Sequence, residues 1–300
     1  EAGRRVQEEL RRPATRLERI QRGGSLEGTD LAAIDRTDEL GLEDHANPRT
    51  APAAPTDRAL PVAIFEEEKV RVESGRWWDH PKVNLLRRTL DADRDGHPEL
   101  VRYVDAETGH LFRQEEDRNY DGVTDAWSDY RSGVVVARVL DSNDDGNPDV
   151  WERYHGTRMT VREIDRDDDG VRDAFYRYEG GSLIEERHDA DNDGRVDLRI
   201  VYADRRRIRD EEDQDKDGRM DTWRSYVVTD GVELVSRIER DKKGRGFADT
   251  FETFGAQDGV AVLLKREEDV NGDGEVDIIS HYENGKLVRR EIANPDLVPL

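Results

Sequence analysis

The phrase D-x-[DN]-x-D-G-x-x-[DE] occurs seven times in this chain, and an eighth copy is damaged. The intact copies start at Asp91, Asp117, Asp141, Asp165, Asp189, Asp213 and Asp269, and the damaged one at Asp241, so the starts fall 26, 24, 24, 24, 24, 28 and 28 residues apart. A period that regular means one supersecondary unit repeated many times, each copy resting on its neighbours. The same phrase carries alternating acidic side chains closed by a glycine, which is the signature of a cation-binding loop.

Between loops the chain reads as two strands and a tight turn. Motif position 11 is aromatic in Trp127, Trp151, Phe175, Trp223 and Phe251; position 14 is Tyr130, Tyr154, Tyr178, Tyr202, Tyr226 and Tyr282, with Phe254 in the damaged copy. Aromatic and β-branched enrichment favours strand over helix. The turns are Ser132-Gly133, His155-Gly156, Gly180-Gly181, Asp230-Gly231, Asp258-Gly259 and Asn284-Gly285. Pairs such as Asn-Gly and Asp-Gly suit hairpin turns because those need positive φ. Glycine interrupts every stretch before it reaches an ordinary helix length. The predicted fold is therefore all-β. It is an antiparallel meander of hairpins, as a ribbon or solenoid, with a β-propeller as the alternative. Positions 11 and 14 differ in parity, so an unbulged strand sends the two aromatic columns to opposite faces.

Each loop offers a ligand set for Ca2+, which takes six to eight oxygens on a flexible loop. The sets are Asp91/Asp93/Asp95/Glu99, Asp117/Asn119/Asp121/Asp125, Asp141/Asn143/Asp145/Asp149 and Asp165/Asp167/Asp169/Asp173. They continue as Asp189/Asp191/Asp193/Asp197, Asp213/Asp215/Asp217/Asp221 and Asp269/Asn271/Asp273/Asp277. Residues at positions 1, 3 and 5 are expected to point inward together, with position 9 returning a carboxylate. Glycine at position 6 permits the sharp turn. In the damaged copy Lys243 and Arg245 stand where positions 3 and 5 should be anionic. No calcium is expected there, with Arg245 or Lys243 bridging Asp241 and Asp249 in its place.

Composition agrees with a metal-stapled array. Only 34% of the 300 residues are hydrophobic and 40% are charged, too few apolar side chains for a thick two-layer core. Net charge is −23, of which residues 81–300 hold −19; seven Ca2+ ions would cancel 14 of those. Such acidity argues against nucleic acid as a partner. No apolar run is long enough to span a membrane. With no cysteine, disulfides and Cys-based zinc sites are excluded. The seven histidines are scattered, and none lies in a metalloprotease, P-loop, nucleophile-elbow or dinucleotide motif, so no enzymatic activity is expected. Arg205-Arg206-Arg207 reads as a solvated hairpin turn.

The loops are not EF-hands. Position 12 is Arg102, Ser128, Glu152, Tyr176, Ile200, Arg224 and Ser280, so the bidentate Glu of that fold occurs once. The loop resembles instead the calcium loops of integrin-type propeller blades, and the Asp-rich loops of thrombospondin type 3 and dockerin repeats. The cysteines of the thrombospondin repeat and the helices of dockerin are missing. The whole unit resembles the D-G-x-x-D-x-W-x-x-Y-x-x-G tandem repeats of bacterial surface proteins over roughly residues 91–290. That resemblance implies an extracellular or cell-surface location and no particular activity.

The chain is expected to divide into an extended Pro/Ala-containing arm (1–61), a β-type cap of the first repeat (62–90), the eight-unit array (91–293) and a short tail (294–300). Trp77 and Trp78 are expected to cap the first repeat. The arm either packs on its own array or is lent to a neighbouring copy; its length and its Pro48, Pro52, Pro55 and Pro61 lean towards the copy. The expected function is structural: a calcium-stabilised subunit of a surface filament or matrix. The alternative is a calcium-dependent adhesin or carbohydrate-binding module whose aromatic columns stack on surface glycans.

Overall fold

The computed structural model describes residues 65–294. The arm, the first three residues of the cap and residues 295–300 of the tail lie outside them. The described residues fall into two compact units that meet in sequence at Ser182 and Leu183.

The first unit holds β1 (Glu66–Val72), β2 (Val83–Leu90), β3 (Leu100–Asp105), β4 (Leu111–Glu116), β5 (Ala126–Arg131), β6 (Val134–Leu140), β7 (Val150–His155), β8 (Arg158–Ile164) and β9 (Ala174–Glu179). The second holds β10 (Ser182–His188, from its second residue), β11 (Leu198–Ala203), β12 (Arg206–Glu212), β13 (Thr222–Thr229), β14 (Val232–Arg240), β15 (Thr250–Gln257), β16 (Val260–Glu268), β17 (Ile278–Glu283) and β18 (Lys286–Ile292). Within each unit every strand pairs antiparallel with the next in chain order. The fold is all-β, and there is no helix among the described residues. A propeller would break the pairing into separate blades. No break occurs within either unit, so the open meander stands and the propeller does not.

Turn chemistry sets the hairpins. Both central residues have positive φ at Ser132-Gly133, Gly180-Gly181, Asp230-Gly231, Asp258-Gly259 and Asn284-Gly285. The turn after β7 is centred one residue later than the sequence suggests, on Gly156-Thr157, with positive φ at Gly156 alone. The β11–β12 turn uses Asp204 and Arg205 at φ of 51° and 62°, with no glycine. Two non-glycine residues in the left-handed region cost about 1–2 kcal/mol each, which the flanking ladder must offset. Arg207, read from sequence as part of a solvated turn, is instead inside β12. Its guanidinium lies 4.0 Å from the Tyr226 ring and donates to Glu233 at 2.9 Å.

A β-bulge recurs in the hairpins. Pairing slips by one residue at Tyr103/Val104, Asp129/Tyr130, Arg153/Tyr154, Val201/Tyr202, Ser225/Tyr226, Thr253/Phe254 and His281/Tyr282. The extra residue sits on the returning strand, as Val136 does opposite Asp129 and Tyr130. The outgoing strand keeps its alternation, so positions 11 and 14 stay on opposite faces. On one face Trp127, Val139 and Trp151 cluster across β5, β6 and β7. On the other, buried Tyr130, Val135, Tyr154 and Met159 share the face with buried ion pairs. Glu152 accepts from Arg138 at 3.5 Å and from the Tyr154 hydroxyl at 2.6 Å. Asp210 accepts from Arg224 at 3.1 Å and Tyr226 at 2.6 Å. Glu252 accepts from Arg240, and from Arg266 at 3.0 Å. These acids are 2–5% exposed, so they need those partners to stay buried as ions. The pattern accounts for a chain with 40% charged residues folding at all.

The β1–β2 connection covers the first repeat. Trp77 packs with Val72 and Leu85 and lies 4.7 Å from the Tyr103 ring, while Trp78 stacks on Phe112 at 4.4 Å.

Candidate metal centres in the repeat loops

Every acidic loop links a returning strand to the next outgoing one. Within each unit, such connections fall on one edge of the meander and the tight turns on the other. Backbone bonds lace each loop to its neighbour. The position-9 carbonyl accepts from the position-1 amide of the following loop, as in Asp117 to Glu99 (3.0 Å), Asp141 to Asp125 (2.8 Å), Asp213 to Asp197 (2.9 Å) and Asp269 to Asp249 (2.8 Å).

Within the loop one contact is invariant. The amide of the position-6 glycine donates to the position-1 carboxylate in all eight copies, from Gly96 to Asp91 (3.0 Å) through Gly274 to Asp269 (3.0 Å). That glycine has φ between 84° and 96° each time. Position 4 is also left-handed, at Arg94, Tyr120, Asp144, Asp168, Asn192 and Lys216, and is glycine at Gly244 and Gly272. Sequence reading missed this second special position. Its signal is weak, because only Asn and Asp among those residues favour such φ. Short side-chain bonds hold the coil: the position-7 amide donates to position 5, as His97 does to Asp95 (2.7 Å), and the position-2 amide to position 9, as Arg166 does to Asp173 (2.7 Å).

Four loops bring carboxylates together tightly enough to share an ion. Ligand oxygens lie within 4.8 Å of one another in Asp91/Asp93/Asp95/Glu99, Asp117/Asp121/Asp125, Asp165/Asp167/Asp173 and Asp189/Asp191/Asp197. Asn119, from the same motif as the second set, donates from Nδ2 to Asp121 at 3.1 Å. Asp169 and Asp193 stand outside the third and fourth sets.

The other three intact loops depart from the expected convergence: among the described residues, none of them gathers such a trio. The first is the loop of Asp141, Asn143, Asp145 and Asp149. Asn143 and Asp145, expected as inward ligands, are both exposed, while Asp141 and Asp149 are buried. Asn143 Oδ1 accepts from the Asp145 amide at 3.1 Å. Asp145 Oδ1 accepts from the Asn147 amide at 2.7 Å and from Asn147 Nδ2 at 3.2 Å. The same turn bonds occur in a gathered loop, from the Asp95 amide to Asp93 (3.0 Å) and from the His97 amide to Asp95 (2.7 Å), so they do not set this loop apart; what differs is that Asp145 does not join Asp141 and Asp149 in a cluster. The second loop is that of Asp213, Asp215, Asp217 and Asp221, where the Asp217 amide donates to Asp215 at 3.2 Å. The third is that of Asp269, Asn271, Asp273 and Asp277, where the Asp273 amide donates to Asn271 at 2.9 Å. In each of the three a side-chain donor also grips the position-9 carboxylate: Ser142 on Asp149 (2.9 Å), Thr222 on Asp221 (2.6 Å) and Asn294 on Asp277 (2.7 Å). Such a grip does not by itself prevent gathering, since Arg166 holds Asp173 at 2.5 Å in a gathered loop.

The electrostatics fit a cation. Asp165 is 4% exposed, and its Oδ1 is buried without a hydrogen-bond partner; Asp91 Oδ1 is likewise buried and unpartnered. A lone carboxylate oxygen in that state carries a desolvation penalty that water does not repay. Burial pushes the Asp165 carboxyl up to about 6, with Asp167, Asp169 and Asp173 adding like-charge repulsion. Burial also raises Asp141, Asp149, Asp197 and Asp221. A bound divalent ion reverses all of these by supplying the missing charge.

The damaged loop does not follow the expected bridge. Arg245 reaches Asp249 at 3.8 Å, but neither cationic side chain pairs with Asp241. Lys243 instead leaves its own loop and donates to the carbonyls of Asp269 (3.2 Å) and Val270. Its chain is long enough to reach the neighbouring loop, where two carbonyls converge.

The fold and loops together define a tandem β-hairpin array with recurring buried Asp-rich clusters able to hold metal ions. Compared with protein-family models and with curated proteins, the chain matches none.

Proposed function

We propose that this is a non-enzymatic, calcium-stapled repeat protein of the cell exterior, serving as a structural subunit of a surface filament or matrix. The observation that carries the reading is the gathering of carboxylates in four loops, with Asp165 Oδ1 buried and unpartnered in one of them. The chain spends buried charge at the joint between successive hairpins, where a hard cation turns repulsion into a clamp. The ligand sets are those of the seven intact motifs, and the four gathered loops are the strongest of them. In the loop of Asp141 and Asp149, calcium would have to draw Asp145 towards them. The likeness to tandem surface repeats supports the location, and the low apolar content supports a need for metal. Assembly through copies of the same chain, with the arm as connector, completes the proposal. A melting curve recorded in EDTA and again with millimolar calcium tests the clamp: a large upward shift with calcium is expected, and identical curves reject it. Electron microscopy of native material tests the filament.

A groove in the first unit favours the adhesin as a second reading. It encloses about 960 Å³ and is lined by Trp77, Trp78, Tyr154, Asp129, Arg131 and Arg153 among others. Aromatic rings beside planar charged groups suit the apolar faces and hydroxyls of sugars. Binding of bacterial polysaccharide fragments, lost in Trp78→Ala, supports this reading; no binding to any fragment rejects it.

A further inference from the structure

The damaged loop and the loop after it form one electrostatic unit. Lys243 Nζ donates to the carbonyls of Asp269 (3.2 Å) and Val270, which open the 269–277 loop. Arg245 follows the same path. A Cβ placed on Gly272 would sit 1.0 Å from Arg245 Nη1, so the guanidinium fills the space beside that glycine. Gly272 is the position-4 residue of its loop, the one intact copy with glycine there. The receiving loop is satisfied in other ways too. Asp277 accepts from Asn294 Nδ2 (2.7 Å) and from the amides of Val270 (2.7 Å) and Asn271 (3.0 Å). Its carboxylates are not drawn together as they are in the four gathered loops.

Another loop-to-loop cation shows the contrast. Lys216 reaches only Asp197, at 3.8 Å, and Asp189, Asp191 and Asp197 remain gathered. Lys243 and Arg245 occupy the third and fifth positions of their own motif and put two positive charges against one neighbour. A divalent ion entering residues 269–277 would meet both cations at close range.

We infer that loop 241–249 is the cation donor for the loop that follows it. Lys243 and Arg245 supply residues 269–277 with the positive charge that a metal supplies elsewhere. This intact-looking motif therefore stays metal-free at calcium concentrations that fill the four gathered loops. The inference rests on the calcium reading above and narrows its seven ligand sets to six by removing 269–277, for the last step of the array is stapled by protein cations.

Native mass spectrometry of the full chain, titrated with calcium, counts the ions directly. Asp273→Asn should leave the count unchanged, whereas Asp121→Asn should lower it by one. The double variant Lys243→Asn with Arg245→Asp should raise the count, and a thermal melt in calcium reports whether it is folded. A count that drops by one in Asp273→Asn overturns the inference while leaving the calcium reading intact. A folded double variant with an unchanged count also overturns it. A wild-type chain that binds no calcium removes both.

Discussion

The amide of Gly170 donates to Asp165 Oδ2 at 2.8 Å while Asp165 Oδ1 stays buried with no hydrogen-bond partner. One half of this carboxylate is built into the turn, and one of its oxygens lies within 4.8 Å of oxygens of Asp167 and Asp173. The loop is thus preorganised around a negative charge that its own backbone does not neutralise.

Asp165→Asn should therefore change sign with conditions. In EDTA the substitution removes a buried, repelled charge and should stabilise the chain, by about 1 kcal/mol on the scale of one hydrogen-bonded group. In millimolar calcium it removes a ligand and should destabilise. Urea denaturation in the two buffers reads both numbers. Loss of stability in both would mean that the carboxylate serves the turn alone.

The chelated protein should weaken as pH rises. The folded carboxyl of Asp165 sits near 6 against an unfolded value near 3.8, so the folded state holds the proton more tightly. Stability from that group is full below about pH 4, falls between pH 4 and 6, and is flat above. Asp141, Asp149, Asp197 and Asp221 shift the same way. Glu252 opposes them: Arg240 and Arg266 hold it below 4.5 despite burial, so its contribution is present above that value and is lost on acidification. With calcium the trend should reverse, because protons compete with the ion. Melting temperatures at pH 4.5, 6 and 7.5, with and without EDTA, check the crossing.

Trp151→Ala should cost about 3–5 kcal/mol, the usual range for a large buried aromatic. Trp151 is 4% exposed, packs with Trp127 and Val139, and carries the Arg172 guanidinium 3.9 Å from its ring. A loss under about 1 kcal/mol in urea denaturation would show that the aromatic column is dispensable.

Asp210→Ala should cost about 1–3 kcal/mol, because the Tyr226 hydroxyl and one arm of Arg224 lose their acceptor while Arg224 keeps Glu212. Arg209→Ala should cost no more than about 1 kcal/mol, since its bond to Glu211 (2.8 Å) lies at the surface. Equal losses in the pair would contradict a buried ionic core.

Much of the architecture is legible in residue spacing. The period of Asp91, Asp117, Asp141 and their successors marks the repeat, and Asp230-Gly231 and Asn284-Gly285 mark the hairpins. Both rest on local backbone requirements, chiefly positive φ, which a sequence states through glycine and asparagine. The glycine-free turn at Asp204-Arg205 was not legible from that rule, and the repeated bulge was not either. A one-residue slip opposite Tyr130 or Tyr226 depends on how two strands meet, and no single strand records it.

The sequence alone determined the β-repeat, its strand-turn-strand-loop order and the identity of the acidic side chains. Only the tertiary structure decided which carboxylates converge. Asp165, Asp167 and Asp173 meet, while Asp213, Asp215, Asp217 and Asp221 carry the same residues in the same order and do not. Asp145 likewise matches the motif, yet it stands apart from Asp141 and Asp149. The tertiary structure also decided that Lys243 serves the next loop and not its own. The reason is range. Backbone conformation is set within a few residues and the turn bonds recur from loop to loop, but convergence of charge depends on how each loop packs against neighbouring strands and loops, which a local motif does not record.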